Sequence, residues 1–201
     1  MKTGRLEAFS DGVLAIIITI MVLELNAPEG SDCEALIPVI PVFLTYLLSF
    51  VYVGIYWNNH HHLFQAVKLV NGKILWANLN LLFWLSFFPF ITGWMGKNHF
   101  EANPTALYGA VLLMAAIAFR IMIFCVVINE GQGSSIGRVY STYKRMNLSL
   151  FLYSLGMAVS FFFPIISLLI YLGVALMWIV PDPRIEKALK DQFLIFLKTK
   201  A

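Results

Sequence analysis

Long apolar runs separated by short polar segments dominate this chain of 201 residues. The runs lie near 7–25, 35–62, 74–95, 105–128 and 147–180. A helix needs ~20 mostly apolar residues to cross the hydrocarbon core of a bilayer, and each run reaches about that length. The chain is 60% hydrophobic and 12% charged, whereas soluble domains are about 45–50% apolar and about 25% charged. The pattern therefore predicts an all-α integral membrane protein.

The last run, near 147–180, is too long for a single crossing of ~20 residues. Pro164 lies near its middle and should break a helix there, because proline lacks the amide hydrogen that an inner turn requires. We therefore expect two shorter helices joined by a tight turn, which brings the total to six transmembrane helices. The predicted organisation is a six-helix transmembrane domain over 1–181 and a short cytoplasmic amphipathic tail over 182–201.

The distribution of basic residues predicts how the chain is oriented. With six spans, both termini lie on one side of the membrane. That side would hold twelve of the 14 lysines and arginines, Lys97 would lie on the other side, and Arg120 would fall within span four. Basic residues are concentrated in cytoplasmic loops of membrane proteins. We therefore expect both termini to be cytoplasmic.

Several functional classes find no support in the sequence. No basic patch is interleaved with a soluble fold, so a nucleic-acid partner is not expected. No nucleophile motif, metal spacing or phosphate-binding loop is present, so we predict neither an enzyme nor a cofactor. The run His60-His61-His62 does not predict a metal site, because consecutive helical side chains point ~100° apart. Cys33 and Cys125 are not expected to form a disulfide.

The start of span one carries the most informative local pattern, with Arg5, Phe9, Ser10 and Asp11 in close succession. Taken alone, these residues fit a helix start at the membrane interface, because serine and aspartate favour helix N-termini. A second unusual element, rich in tryptophan and histidine, follows at the end of span two.

Together these two motifs resemble the lysosomal potassium channel family and its prokaryotic relatives. The matching positions are Arg5, Phe9, Ser10, Asp11, Trp57, His60, His61, Leu63 and Phe64. The resemblance implies a homo-oligomer, four-fold in the prokaryotic members, in which the first helix of each subunit lines a central pore. It also implies that His60 or His61, with Trp57, supports the pore helix near Asp11, and that the protein lies in a prokaryotic plasma membrane.

One stripe of span one becomes the predicted pore lining on this basis. At ~100° per residue, Ile16, Thr19, Ile20 and Leu23 share a helical face. The resemblance makes Ile16 the bottleneck and Thr19 the hydroxyl layer tied to potassium selectivity, with Ile20 and Leu23 as further constrictions. From the residues alone, such a stripe on a membrane helix usually faces lipid or a packed neighbouring helix, and only the resemblance favours a pore lining.

The sequence therefore predicts a subunit of a potassium-selective channel, with potassium ions, membrane lipid and further copies of itself as partners. The alternative is a secondary or proton-coupled transporter. Such carriers usually show internal repeats and broken helices at the midplane, whereas this chain shows no repeat and its acidic residues lie at helix ends and in loops. The roles of Glu24, His62 and Arg120 are left open.

Overall fold

The computed structural model describes residues 2–65, 67, 69–131, 134, 137 and 144–180. All regular elements in these ranges are helical, as predicted. In chain order they are α1 Thr3–Leu23, a 3₁₀ helix Cys33–Val39, α2 Ile40–Gln65, α3 Gly72–Leu85, α4 Phe88–Lys97, α5 Ala102–Glu130, α6 Lys144–Val159 and α7 Pro164–Ile179. The predicted tail over 182–201 lies outside the described residues.

Four segments within the described ranges are long and apolar enough to cross a membrane. They are Thr3–Leu23, Cys33–Gln65, Gly72–Lys97 and Ala102–Glu130, and Pro164–Ile179 is a shorter apolar helix. The chain is therefore a multi-pass membrane protein. The first four predicted runs coincide with these segments.

The third span differs from the expected continuous helix because it consists of α3 and α4, separated by a turn at Ser86 and Phe87. Pro89 lies in the first turn of α4, where the missing amide hydrogen is tolerated. The hydroxyl of Ser86 donates to the carbonyl of Phe83 at 2.7 Å. The turn is thus closed by local hydrogen bonds, and the two helices together still form one apolar segment.

The break at Pro164 is observed, and it divides the final block into α6 and α7. The chain turns back on itself at this break, so the start of α6 and the end of α7 lie close together. There, Arg145 Nη1 donates to the carbonyl of Val180 at 3.2 Å. We call α6, the turn Ser160–Phe163 and α7 the C-terminal hairpin.

Tyr171 of α7 anchors this hairpin to the other helices. Its ring lies against Gly156 of α6 and Gly109 of α5, and a Cβ atom at either glycine would overlap it. Its hydroxyl donates to the carbonyl of Thr105 at 3.3 Å, and its own carbonyl accepts from the hydroxyl of Tyr52 at 2.6 Å. A polar side chain buried in a membrane protein needs such partners. Tyr171 therefore connects α7 to α2 and α5.

Candidate pore helix and its supporting cluster

α1 has one face packed inside the subunit and one face left open. The packed face contains Leu6, Ser10, Leu14, Ile17 and Met21, all buried. These residues recur every three or four positions, as expected for one side of a helix. α1 contacts α2, α3 and α4, so the three helices around it determine which side faces outward.

The four residues predicted to line a pore all lie on the open face of α1. Ile16 is 59% exposed, Ile20 45% and Leu23 75%, and Thr19 is also exposed. Among the described residues, none covers this stripe fully. The structure thus leaves this apolar and hydroxyl stripe available to lipid or to another copy of the chain.

The hydroxyl of Thr19 has a defined hydrogen-bonding role on this face. Its Oγ1 donates to the carbonyl of Ile16 at 2.8 Å. A hydroxyl has one hydrogen and two acceptor lone pairs. Because the hydrogen is used within the helix, the oxygen presents lone pairs outward, as a ligand for a partly dehydrated cation requires.

Near the N-terminal end of α1, a buried chain of polar groups holds the helix to its neighbours. The hydroxyl of Ser10 donates to the carbonyl of Leu6 at 2.9 Å and accepts from Asn78 Nδ2 at 3.0 Å. Asn78 Oδ1 lies 2.8 Å from His60 Nε2. Since an amide oxygen only accepts, this arrangement places the hydrogen of His60 on Nε2.

Ser10, Asn78 and His60 are at most 2% exposed, and we call them the buried triad. They come from α1, α3 and α2 and form continuous hydrogen bonds across three helices. Each polar group would be costly to bury without its partner. The triad therefore fixes the rotation of α1, and with it the direction in which the open face points.

A second set of contacts lies beside the triad, at the more exposed side of α1. Trp57 Nε1 donates to Asp11 Oδ1 at 3.0 Å. His61 Nδ1 lies 3.7 Å from Glu7 Oε2, and its ring stacks on Trp57 with 6.1 Å between ring centroids. Both carboxylates of this segment of α1 thus face groups of α2.

The structure therefore brings together Ser10, Asp11, Trp57, His60 and His61 among the residues singled out from the sequence. It does not bring Arg5 or Phe9 into this set. Arg5 is exposed and forms no hydrogen bond or ion pair with another described residue, and Phe9 is 55% exposed. Both lie on the open side of α1.

At the opposite end of α1, an ion pair joins the helix to α4. Lys97 Nζ lies 2.6 Å from Glu24 Oε2. Gly93 provides the space for this carboxylate, because a Cβ there would lie 2.6 Å from the same oxygen. Glu24, whose role the sequence left open, is thus paired rather than directed freely into water.

Two further residues with open roles can now be placed. Arg120 of α5 donates from Nη1 to Asn147 Oδ1 of α6 at 2.8 Å, so it connects neighbouring helices. Nδ1 of His62 is buried and has no hydrogen-bond partner among the residues that the structure describes. Within the described ranges, no group of three His, Cys, Asp or Glu residues is arranged to hold a metal ion.

Sequence reasoning missed three contributors to these sites, namely Asn78, Glu7 and Lys97. Asn78 offered a signal, because an asparagine inside an apolar membrane run needs a buried polar partner. Its partners are 18 and 68 residues away in sequence, and nothing in the local pattern identifies them. In the sequence, Lys97 stands out only as the one basic residue on its predicted side of the membrane.

The fold and the site together define a class: a multi-pass helical membrane protein whose first helix is fixed on one face and open on the other. Comparison with known proteins narrows this class. The family described as the endosomal/lysosomal potassium channel TMEM175 matches residues 5–89. A potassium channel of Chryseobacterium sp. is 57% identical over 191 residues, which cover 95% of this chain and 100% of that protein.

Two other relatives extend the comparison. The crystal structure of a lysosomal potassium-selective channel TMEM175 homolog from Chamaesiphon minutus matches with a TM-score of 0.74 and 28% identity, covering 88% of this chain and 95% of that one. An endosomal/lysosomal proton channel TMEM175 of Bos taurus is 30% identical over 136 residues, 62% of this chain but 28% of that protein. The chain belongs to the TMEM175 channel family.

Proposed function

We propose that this protein is a subunit of a potassium-selective channel, through which potassium flows passively down its electrochemical gradient. The observation that carries the proposal is the open stripe of Ile16, Thr19, Ile20 and Leu23 on a helix whose opposite face is locked by the buried triad. The names of the bacterial relatives, potassium channel and potassium-selective channel homolog, support the choice of ion.

The pore is shared between subunits in this proposal. One subunit has one such helix, and a central pore needs several copies arranged around an axis. Closed rotational symmetry supplies that arrangement in most homo-oligomers. A homotetramer follows the four-fold architecture implied by the family resemblance.

In a tetramer, the stripe would form successive rings along ~10.5 Å of pore from Ile16 to Leu23, at ~1.5 Å per residue. The rings of Ile16, Ile20 and Leu23 form apolar constrictions, which can close a pore by excluding water. The ring of Thr19 oxygens lies between them and replaces part of the hydration shell of the ion. Potassium occupies the pore only in transit, and no resident cofactor is needed.

The proposed orientation places both termini in the cytoplasm and the channel in a prokaryotic plasma membrane. Twelve of 14 lysines and arginines then lie on the cytoplasmic side, in agreement with the usual bias. The Glu24–Lys97 ion pair lies at the outer end of α1, and the cluster around Asp11 lies at its cytoplasmic end.

Replacing Thr19 with alanine tests the proposed selectivity layer. Thr19→Ala removes the four oxygens while keeping the apolar rings, so we expect a several-fold loss of potassium-over-sodium preference with conduction retained. The measurement is the reversal potential under bi-ionic conditions in planar bilayers. Ser154→Ala is a matched control, because Ser154 is also an exposed helical hydroxyl bonded to a carbonyl of the preceding turn. Reversal potentials unchanged by Thr19→Ala would refute the hydroxyl layer.

Two other functions predict different currents in the same bilayers. A secondary or proton-coupled transporter would give slow coupled flux without unitary currents. A proton channel, the function named for the Bos taurus relative, would shift its reversal potential with the pH gradient rather than with the potassium gradient. Unitary currents that follow the potassium gradient distinguish the proposed function from both.

A further inference from the structure

The third span holds the two halves of α1 through two separate helices. α3 holds the first half, where Asn78 bonds to Ser10. α4 contacts the second half, where Lys97 pairs with Glu24. The turn Ser86–Phe87 separates α3 from α4. The second half of α1 therefore has a support of its own, which does not belong to the buried triad.

Met21 is the residue of α1 that packs against this support. Its side chain is fully buried, and its Sδ lies 3.9 Å from Oγ1 of Thr92 on α4. Glu24 follows three positions later on the same side of α1. It lies against Gly93, where a Cβ would come within 2.6 Å of its Oε2. α4 thus contacts α1 closely along about one helical turn.

Thr92 is itself held by a chain of buried hydroxyl groups. Its Oγ1 donates to Ser49 Oγ of α2 at 2.7 Å, and Ser49 Oγ lies 3.0 Å from the hydroxyl of Tyr108 on α5. All three residues are 0% exposed. Each hydroxyl would be costly to bury without its partner. The chain therefore fixes the position of α4 relative to α2 and α5.

The backbone of α4 also lies directly against that of α2. A Cβ at Gly96 would lie 2.6 Å from the Cα of Val42. A main-chain atom does not move aside as the end of a flexible side chain does, so α4 has no space to approach α2 further. α4 is thus a fixed support, and the side chain between it and α1 determines how closely the two helices approach each other.

Met21 lies directly behind two residues of the predicted pore lining. Consecutive residues of an α-helix are ~100° apart, so residues two positions apart lie on nearly opposite sides. Thr19 and Leu23 are each two positions from Met21, and both are exposed on the open face. A change in the spacing between α1 and α4 at Met21 therefore moves these two residues towards or away from the axis of the proposed pore.

We propose that the contact between Met21 and Thr92 sets the distance of Thr19 and Leu23 from the pore axis, which makes Met21 a positioning residue for potassium selectivity. The inference rests on the proposed function, since it requires that Thr19 lines a potassium pathway. Ion preference depends on how the lining oxygens surround the ion. The size of the side chain at position 21 therefore affects this preference, although Met21 itself never touches the ion.

Truncation of Met21 in the full-length protein tests the inference. Met21→Ala leaves space between α1 and α4, so the second half of α1 moves towards α4 and the ring of Thr19 oxygens widens. We expect a several-fold loss of potassium-over-sodium preference, measured as the bi-ionic reversal potential in planar bilayers, together with a higher unitary conductance. A loss of stability alone would lower the number of assembled channels and leave the preference of each channel unchanged.

Leu14→Ala is the matched control. Leu14 is also buried on the packed face of α1, at 3% exposed. It lies behind Ile16 rather than behind Thr19, because it is two positions from the former and five from the latter. Ser10, one turn away, holds this part of α1 through the buried triad. We expect Leu14→Ala to keep the wild-type reversal potential.

A wild-type reversal potential in Met21→Ala would overturn the inference. An equal loss of preference in Leu14→Ala would overturn it too, because the effect would then come from a general loosening of α1. If Met21→Ala does not assemble, Met21→Val removes less volume and has the same two contradicting outcomes.

The wild-type protein in the same bilayers tests the proposed function separately. Wild-type channels without potassium-selective unitary currents would contradict the proposed function itself. Selective wild-type channels whose preference is unchanged by substitutions at Met21 would contradict only the inference.

Discussion

At the residue scale, the orientation of α1 depends on Asn78. It donates to Ser10 and accepts from His60, all within a region that is almost fully buried. Among the described residues, no other residue of α3 forms a side-chain hydrogen bond with Ser10 or His60. The amide is thus the group through which α2 and α3 together hold α1.

Replacing Asn78 with leucine keeps the volume but leaves the hydrogen of His60 and an acceptor position of Ser10 unpaired. A buried unsatisfied group costs about 1–3 kcal/mol. We expect Asn78→Leu to lower the stability of the purified protein by about that amount, measured as the free energy of unfolding in detergent. Asn80→Leu, two positions along the same helix and partly exposed, should have a much smaller effect. Equal losses for both variants would show that the triad contributes no special stability.

The Glu24–Lys97 pair controls the charge at one end of α1. Both side chains are partly exposed, at 33% and 48%, so the pair contributes less than ~1 kcal/mol to stability. Its larger consequence is electrostatic, because Lys97 neutralises a carboxylate that would otherwise attract cations to the outer mouth of the proposed pore.

We therefore expect Lys97→Met to raise single-channel potassium conductance at low ionic strength. The gain should disappear at high salt, since the Debye length falls from ~30 Å at ~0.01 M to ~3 Å at ~1 M. The double variant Glu24→Gln/Lys97→Met is the control, because it lacks the freed carboxylate. A gain that persists in the double variant would have another origin.

At the element scale, packing between α5, α6 and α7 depends on two glycines around one tyrosine. At Gly156 a Cβ would lie 2.5 Å from Cε1 of Tyr171, whereas at Gly173, on α7 itself, nothing lies within 4 Å. Substitutions at Gly156 and Gly173 can therefore be compared. Only the first adds an overlap with Tyr171, whereas both replace a glycine within a helix.

We expect Gly156→Ala to destabilise the protein by about 1–3 kcal/mol through overpacking. Gly173→Ala should be neutral or stabilising by up to about 1 kcal/mol, because alanine has the higher helix propensity. Thermal unfolding in detergent measures both. Similar melting temperatures for the two variants would contradict the proposed role of Tyr171 as the anchor of the hairpin.

The helices that the sequence predicted well are those whose limits follow from local chemistry. The apolar runs predicted the four long segments, and Pro164 predicted the division of the last block. The turn between α3 and α4 was not predicted, because the apolar run continues through it and Pro89 is compatible with a helix start. Hydropathy measures the length of a membrane segment but does not report a turn inside it.

The candidate site shows the same division between local and distant information. Periodicity placed Ile16, Thr19, Ile20 and Leu23 on one face of α1, and the structure shows that this face is open. The sequence did not predict which side chains pair between helices. Asn78 contacts residues far away in the sequence, and Lys97 and Glu24 are 73 positions apart. Such contacts depend on how the helices pack, which no local pattern encodes.

At the scale of the whole molecule, the subunit is built to present one face of its first helix. α2, α3 and α4 hold the inner face of α1 through the buried triad, the Trp57–Asp11 bond and the Glu24–Lys97 pair. α5 holds the hairpin through Arg120 and the contacts of Tyr171. In the proposed tetramer, the open faces of four α1 helices meet around the ion path.

A cadmium-block experiment tests this arrangement most directly. Four thiols from Ile16→Cys, in a Cys33→Ser/Cys125→Ser background, would converge on the axis and bind a soft divalent cation in the path of potassium. Val22→Cys is the control, since Val22 is also exposed on α1 but lies about 120° around the helix from Ile16. We expect micromolar cadmium to block potassium current reversibly in Ile16→Cys and to leave Val22→Cys unaffected. An Ile16→Cys channel that conducts normally and ignores cadmium applied from either side would show that this face does not line the pore.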